Sequence, residues 1–440
     1  MKKLSLITII MLLISLLAAC SSGGSSNSAS TEDNTGGANH EEAVEIEFWY
    51  GLGSVAGETM ESIIADFNAS QDEVVVKGIQ QADYSETWQK VQAAIAAKNA
   101  PAVFIADVGI ANAYGGEEGI LQSLDEYMDA ADFNKEDLLP VFTEPNIVDG
   151  KTYALPAYGT TQIMYFNKNV FEAAGVNPDD AFASWEKLAE SSKVIQENSD
   201  AEFGHMIMWG SGNLVDLALS NGGQMVSNDG KEVVINSPEW VEAWEFARKN
   251  IHEEKTMGLI SGGQGWEYWY KTIDQVMNGN AGGYTGSSGD RGDLDFSFID
   301  AREQPGLSGN IGKPMAGALS MLIPKGKEQA EKDAAFKWMQ YFTSPEVQAQ
   351  WSMKIGYIPV RESTMEVAEY KKHVEENPYA GIPYKQALHA SPSFIDPTGG
   401  KITDALTIAA DKVELQNVPA KEALDEAQEV AQDALDEVNK

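Results

Sequence analysis

The strongest constraint on this chain is an alternation of strand and helix patterns over residues 44–105. Residues 44–50 alternate as a half-buried strand, with Val44, Ile46 and Phe48 on one side and Glu45, Glu47 and Trp49 on the other. A glycine-rich turn, Gly51 to Gly57, leads into a helical pattern in which Met60, Ile63, Ile64 and Phe67 share one face. Residues 74–79 read as a second strand. Trp88, Val91 and Ile95 mark a second helix, closed by Asn99 before Pro101, and 102–105 read as a third strand. Strand-helix-strand-helix-strand implies a parallel, doubly wound α/β sheet, whose ligands sit outside the carboxyl ends of the strands. Trp49, Tyr50, the 80–84 stretch with Tyr84, and Asp107 occupy those ends.

At 440 residues the chain exceeds the size at which one hydrophobic core stops growing, so two lobes are expected. Residues 149–178 read as the chain crossing between them. Asp149-Gly150 is a tight-turn signal, Pro156 and Gly159 punctuate the extended run that follows, and 163–166 are apolar enough for a buried strand. Beyond the crossing, the pattern predicts a helix over 185–195, a strand over 204–208 ending at Trp209, and a helix from Pro238. The aromatic run 266–270 reads as the core face of a helix. Small residues around Tyr284, up to Ser287, read as a strand whose end stays open. Residues 317–323, beginning at Gly317, return the chain to the first lobe, and a terminal helix from about Ala420 places Leu424, Ala427, Val430, Ala431, Ala434, Leu435 and Val438 on one face.

Charge excludes some partners. With 31 basic against 67 acidic residues the formal charge is −36, which repels phosphate backbones and anionic lipid, so nucleic acid is not an expected partner. The five histidines (His40, His205, His252, His373, His389) show no metal-ligand spacing, and no Gly-x-Ser-x-Gly elbow occurs, so neither metal nor catalytic residues are assigned and no cofactor is expected. Gly51, Gly53 and Gly57 miss the dinucleotide fingerprint by one residue. Arg291-Gly292-Asp293 matches an adhesion tripeptide, but chance and a surface turn account for it. Cys20 is the sole cysteine, so no intrachain disulfide is possible. It follows a positive start and an apolar run over 4–19, the pattern of a signal peptide, and Leu17-Ala18-Ala19-Cys20 resembles the bacterial lipoprotein lipobox. The expected organisation is a leader over 1–19, then lipidated Cys20 and a polar tether over 20–43. The two lobes follow, at 44–157 plus 314–360 and at 158–313 plus 361–440.

Several segments in a fixed order carry a family resemblance: Ile46-Glu-Phe-Trp-Tyr50, Ala100-Pro-Ala102, Tyr153-Ala-Leu-Pro156 with Met164-Tyr-Phe-Asn-Lys168, Phe171-Glu-Ala-Ala-Gly175, Asn278-Gly-Asn-Ala281, and Phe342 to Glu346 through Gly356-Tyr-Ile-Pro359. Over residues 44–440 the chain resembles the extracellular solute-binding proteins of bacterial ABC importers, in the maltose-binding and glycerol-3-phosphate-binding branch. The resemblance implies a type II periplasmic-binding-protein-like fold, with two α/β lobes joined by crossing strands around a ligand cleft. It also implies a monomer that hands solute to permease subunits with a separate ATPase, held to the membrane only by its lipid.

It places Tyr84, Asp107, Thr160, Trp209, Ser287, Gly317 and Tyr357 at the cleft. Trp49, Trp209 and Tyr357 offer flat faces for a pyranose, and Asp107 can accept two adjacent hydroxyls. The arginine that pairs with phosphate in the glycerol-3-phosphate members has no counterpart over 398–404, unless Lys401 substitutes. A sugar or oligosaccharide is therefore the first reading, and glycerol-3-phosphate or its diester the second. A lipoprotein enzyme acting on glycans and an adhesion protein are the rival classes.

Overall fold

The computed structural model describes residues 43–130 and 133–440. The expected leader, Cys20 and nearly all of the tether lie outside the described residues. The strands are β1 (Val44–Tyr50), β2 (Val74–Gln80), β3 (Val103–Asp107), β4 (Ile147–Val148), β5 (Lys151–Thr152), β6 (Leu155–Asn167), β7 (His205–Met208), β8 (Met257–Ile260), β9 (Gly283–Ser287), β10 (Ile299–Arg302), β11 (Met315–Leu322) and β12 (Ser391–Pro392). β1 lies between β2 and β3, parallel to both, as the opening alternation predicts. The sheet then continues through β11, β6, β9, β7 and β8, with β11 antiparallel to β3 and β6.

β6 is the element that spans both lobes. Its first half pairs with β11 and its second half, from Gln162 to Phe166, with β9. Leu155, Ala157 and Tyr158 enter the first lobe's core, while Met164 and Phe166 enter the second lobe's and Ile163 and Tyr165 pack on the opposite face of the sheet. Pro156 and Gly159 do not divide the strand. The ladder shifts instead: Leu319 faces Tyr158 and Ser320 faces Pro156, leaving Ala157 as a bulge. Buried Gln348 donates from Nε2 to the Ala157 carbonyl at 2.9 Å, satisfying the group the bulge frees from the ladder. Gly159 exchanges two 2.8 Å backbone hydrogen bonds with Ile358, and a Cβ there would come within 2.3 Å of the Phe142 ring. Close packing therefore requires glycine at this position.

Each lobe is built on buried tryptophans. In the first, Trp338 lies 5.5 Å from Phe48 and 5.4 Å from Phe67. In the second, Trp185, Trp240 and Trp244 pack with Leu406 and Leu424 from the last two helices, Lys401–Gln416 and Ala420–Val438. Large apolar side chains contribute about 1.5–3 kcal/mol each on burial, so these clusters dominate the fold's stability. The terminal helix buries a narrower stripe than expected. Val430 is 58% and Val438 55% exposed, because one lies at the stripe's edge and the other in the last turn.

Candidate functional site

The carboxyl ends of β1, β2 and β3 open onto a cavity of about 620 Å³, within the range of small-molecule sites. Gly51 to Gly53, Asp83 to Ser85, and Asp107 with Val108 line it from these ends. Thr160 to Gln162 from the middle of β6, Ser287 at the end of β9, and Met315 with Gly317 to Leu319 from β11 line it as well. The helix Glu267–Met277 supplies Tyr268, Trp269 and Tyr270, with Trp266 just before it.

Six of the eight residues expected at the cleft line this cavity: Tyr84, Asp107, Thr160, Ser287, Gly317 and Tyr357. Tyr84 and Tyr158 hydroxyls are 3.0 Å apart, and the Tyr158 ring stacks on Tyr357 at 4.5 Å, so three rings from different segments fix one another. Thr160 Oγ1 and Ser287 Oγ meet at 3.1 Å. At Gly317 a Cβ would stand 2.0 Å from Ser393 Oγ, and at Gly289 one would stand 2.3 Å from the Tyr357 ring. Only hydrogen fits at Gly289, whereas at Gly317 the Ser393 hydroxyl would have to turn aside.

Trp49 and Trp209 are not among the lining residues. Trp49 alternates away from Phe48 and Tyr50, packs against the cluster around Val91 and Phe104, and donates to Glu47 at 2.9 Å. Trp209 donates to Asp411 at 2.8 Å and stands edge-on to Tyr268 at 5.1 Å, so it props a wall residue.

Other wall residues differ from their sequence pattern. The run 266–270 reads as a core face, but the core face of its helix is Thr272, Ile273 and Val276, and the aromatic first turn faces the cavity. Arg291-Gly-Asp293 is no surface turn. Its arginine is buried and donates to the Ser352 carbonyl, while Asp293 accepts from the Ser54 hydroxyl. Just before it, buried Asp290 accepts from Trp269 Nε1 at 2.8 Å and from the Tyr284 hydroxyl at 3.1 Å. Lys401 pairs with Glu437 at 2.9 Å on the surface and does not line the cavity.

The lining is acidic. Asp83, Asp107, Asp216, Asp290 and Asp293 contribute to it, and among the described residues no lysine, arginine or histidine does. Desolvation within the cleft raises the carboxyl of Asp107, although its side chain keeps surface exposed to the cavity, and burial raises that of Asp293, pushes Asp290 well above the ordinary range, and lifts Asp216 to about 7. Asp216 nonetheless accepts from the Met315 amide at 2.8 Å and from Gln304 at 3.3 Å. Its linkage has a definite sign. Below its ordinary value of 3.8 both folded and unfolded chains hold the proton; between there and about 7 only the folded chain does, so this contribution to stability is lost as pH rises. The melting temperature should therefore fall between about pH 4 and pH 7, each unit of pKa shift corresponding to about 1.4 kcal/mol. Calorimetry of Asp216→Asn should show a shallower fall; an equal slope would remove Asp216 as its source.

Comparison with known proteins places this architecture. Residues 62–378 match the family model described as bacterial extracellular solute-binding protein. The chain belongs to that family. It is a solute-binding protein of an ABC importer, and its family works at the cell exterior or in the periplasm by binding small solutes. A similar curated relative is the sn-glycerol-3-phosphate-binding periplasmic protein UgpB of Yersinia pestis, 23% identical over 383 residues, covering 81% of this chain and 83% of the relative. Among solved structures, the GacH receptor of Streptomyces glaucescens, described unliganded and with acarbose, has a TM-score of 0.80 at 19% identity, covering 90% of this chain and 99% of that one. UgpB of Mycobacterium tuberculosis, in complex with glycerophosphocholine, also has a TM-score of 0.80, at 21% identity and 90% and 100% coverage. These likenesses give this solute-binding protein the type II, maltose-binding-protein-like fold.

Proposed function

We propose that this protein captures a saccharide in the cavity between its lobes and delivers it to the permease without chemically altering it, while Cys20 anchors it by lipid to the outer face of the cell membrane. The observation that carries the reading is the composition of the cavity wall. The aromatic rings of Trp266, Trp269 and Tyr357 line it together with carboxyl and hydroxyl groups, with no basic side chain among the lining residues. Pyranose C–H faces stack on such rings, and sugar hydroxyls donate to carboxylates. A phosphate monoester would find no cation there, so glycerol-3-phosphate, for which the Yersinia relative is named, is the weaker fit.

Ligand capture couples to closure because both lobes contribute. Trp266 donates from Nε1 to the Gly51 carbonyl at 3.1 Å and meets the Tyr84 ring edge-on at 5.8 Å, so the wall of one lobe already reaches the strand-end turns of the other. A solute touching both sides favours the closed population by its differential affinity. A micromolar affinity corresponds to about −8 kcal/mol, within reach of several charge-assisted hydrogen bonds and stacked rings.

Thermal-shift screening against neutral sugars, oligosaccharides, polyols and glycerol phosphates tests this. Saturable stabilisation by saccharides, with the sugar recovered intact, is the expected result. Stabilisation by glycerol-3-phosphate alone would overturn the saccharide reading, and a released product would overturn the receptor reading.

A further inference from the structure

The charged side chains that line the cavity are all aspartates. The Asp107 carboxylate occupies the N-cap position of the helix Val108–Tyr114 without capping it, and among the described residues no side chain donates to it. Gln162 Oε1 is buried against the cavity and likewise has no hydrogen-bond partner. The one cation between Asp290 and Asp293 in sequence, Arg291, turns its guanidinium away to the Ser352 carbonyl. Among the described residues no three carboxylates converge as a metal site would require. The complement of such a wall is an organic cation with several N–H donors, flanked by rings.

We propose that the solute carries a protonated amine and that Asp107 is the carboxylate that meets it. The proposal rests on reading this cavity as the solute site and specifies the charge of what enters. An ammonium group brings three donors and no acceptor, which suits the Asp107 carboxylate. Its charge is also attracted by every ionised carboxyl of the wall, which a neutral hydroxyl is not. Electron-rich faces of Trp266, Tyr84 and Tyr270, all lining the same cavity, attract a cation further. An amino sugar combines this group with the ring faces that the aromatic wall stacks.

The test is isothermal titration of the protein at pH 7 with pairs that differ in one group: glucosamine against glucose, and the glucosamine disaccharide against its N-acetylated form. The amine member is expected to bind about ten- to a hundredfold more tightly, the value of a charge-assisted hydrogen bond over a neutral one. Asp107→Asn should abolish that preference and Asp107→Glu should retain much of it. Because Asp107 makes no capping bond, neither substitution removes a cap, and a melting temperature no lower than the parent's verifies this. Equal or tighter binding of the neutral members, or a preference that survives in Asp107→Asn, would overturn the proposal while leaving the saccharide reading intact. Binding of spermidine with no binding of any sugar would uphold the cation and overturn the saccharide. No binding of either class would overturn both.

Discussion

Trp266→Ala is expected to weaken solute binding by about thirtyfold or more, the loss typical of a tryptophan at the centre of a binding surface, about 2 kcal/mol. The substitution removes three things together: the indole hydrogen bond to the Gly51 carbonyl, the edge contact with Tyr84, and a ring of the cavity wall. The first two cross from one lobe to the other. The variant should therefore also populate a more open form, visible as a larger radius of gyration by solution scattering, and titration with the panel sugar giving the largest thermal shift reads the affinity. Trp209→Ala should lose less, since Trp209 supports Tyr268 from behind. If Trp209→Ala proves the more damaging of the two, the assignment of the wall to Trp266 is wrong.

Arg361→Ala should be the most destabilising single change outside the hydrophobic cores, by about 3–5 kcal/mol, because it strips a buried network of its only guanidinium. Arg361 donates from Nε to the Thr343 carbonyl at 2.6 Å, from Nη1 to the Asn134 carbonyl at 2.8 Å, and from Nη2 to the Phe133 carbonyl at 3.1 Å. It is 4% exposed and lies over the Phe133 ring at 4.8 Å. Alanine leaves the Thr343 and Phe133 carbonyls without their arginine donor, the Asn134 carbonyl with only the Asp137 amide at 3.3 Å, and Asp137 without its charge partner, whose oxygen lies 3.5 Å from Nη1. Lysine should restore only part of the loss, since one ammonium cannot spread donors over three directions. Urea unfolding measures both variants; a shift below about 1 kcal/mol for alanine would mean that these carbonyls find water or other donors.

Much of the architecture is legible in the residue pattern. The alternation over 44–105 specifies three parallel strands because period 2 and period 3.6 patterns cannot be exchanged without exposing apolar faces. The strand ends then mark Tyr84 and Asp107 as positions on the cavity wall, since side chains at those ends have no sheet or helix to cover them. Trp49 shows the limit of that reasoning. It sits beside such an end, but pleating turns it to the far face, where it packs near Val91 and Phe104.

The acidic and aromatic wall is the illegible part. Asp290 lies beside a tripeptide that reads as a surface turn, and its burial depends on Tyr284 from β9 and Trp269 from a helix, which sequence does not place next to it. The same holds for 266–270, where an amphipathic pattern shows that one face is apolar but not whether that face meets a core or a cavity.

The sequence by itself determined the opening order of strands and helices, because periodicity and turn chemistry are local properties of the chain, while its length pointed to two lobes and its resemblance to the family. Which carboxylates and rings share one cavity was decided only by tertiary structure. A binding site joins residues as distant as Tyr84, Thr160, Trp266 and Asp290, and only the register of β6 with β9 and β11 and the packing around it set their distances.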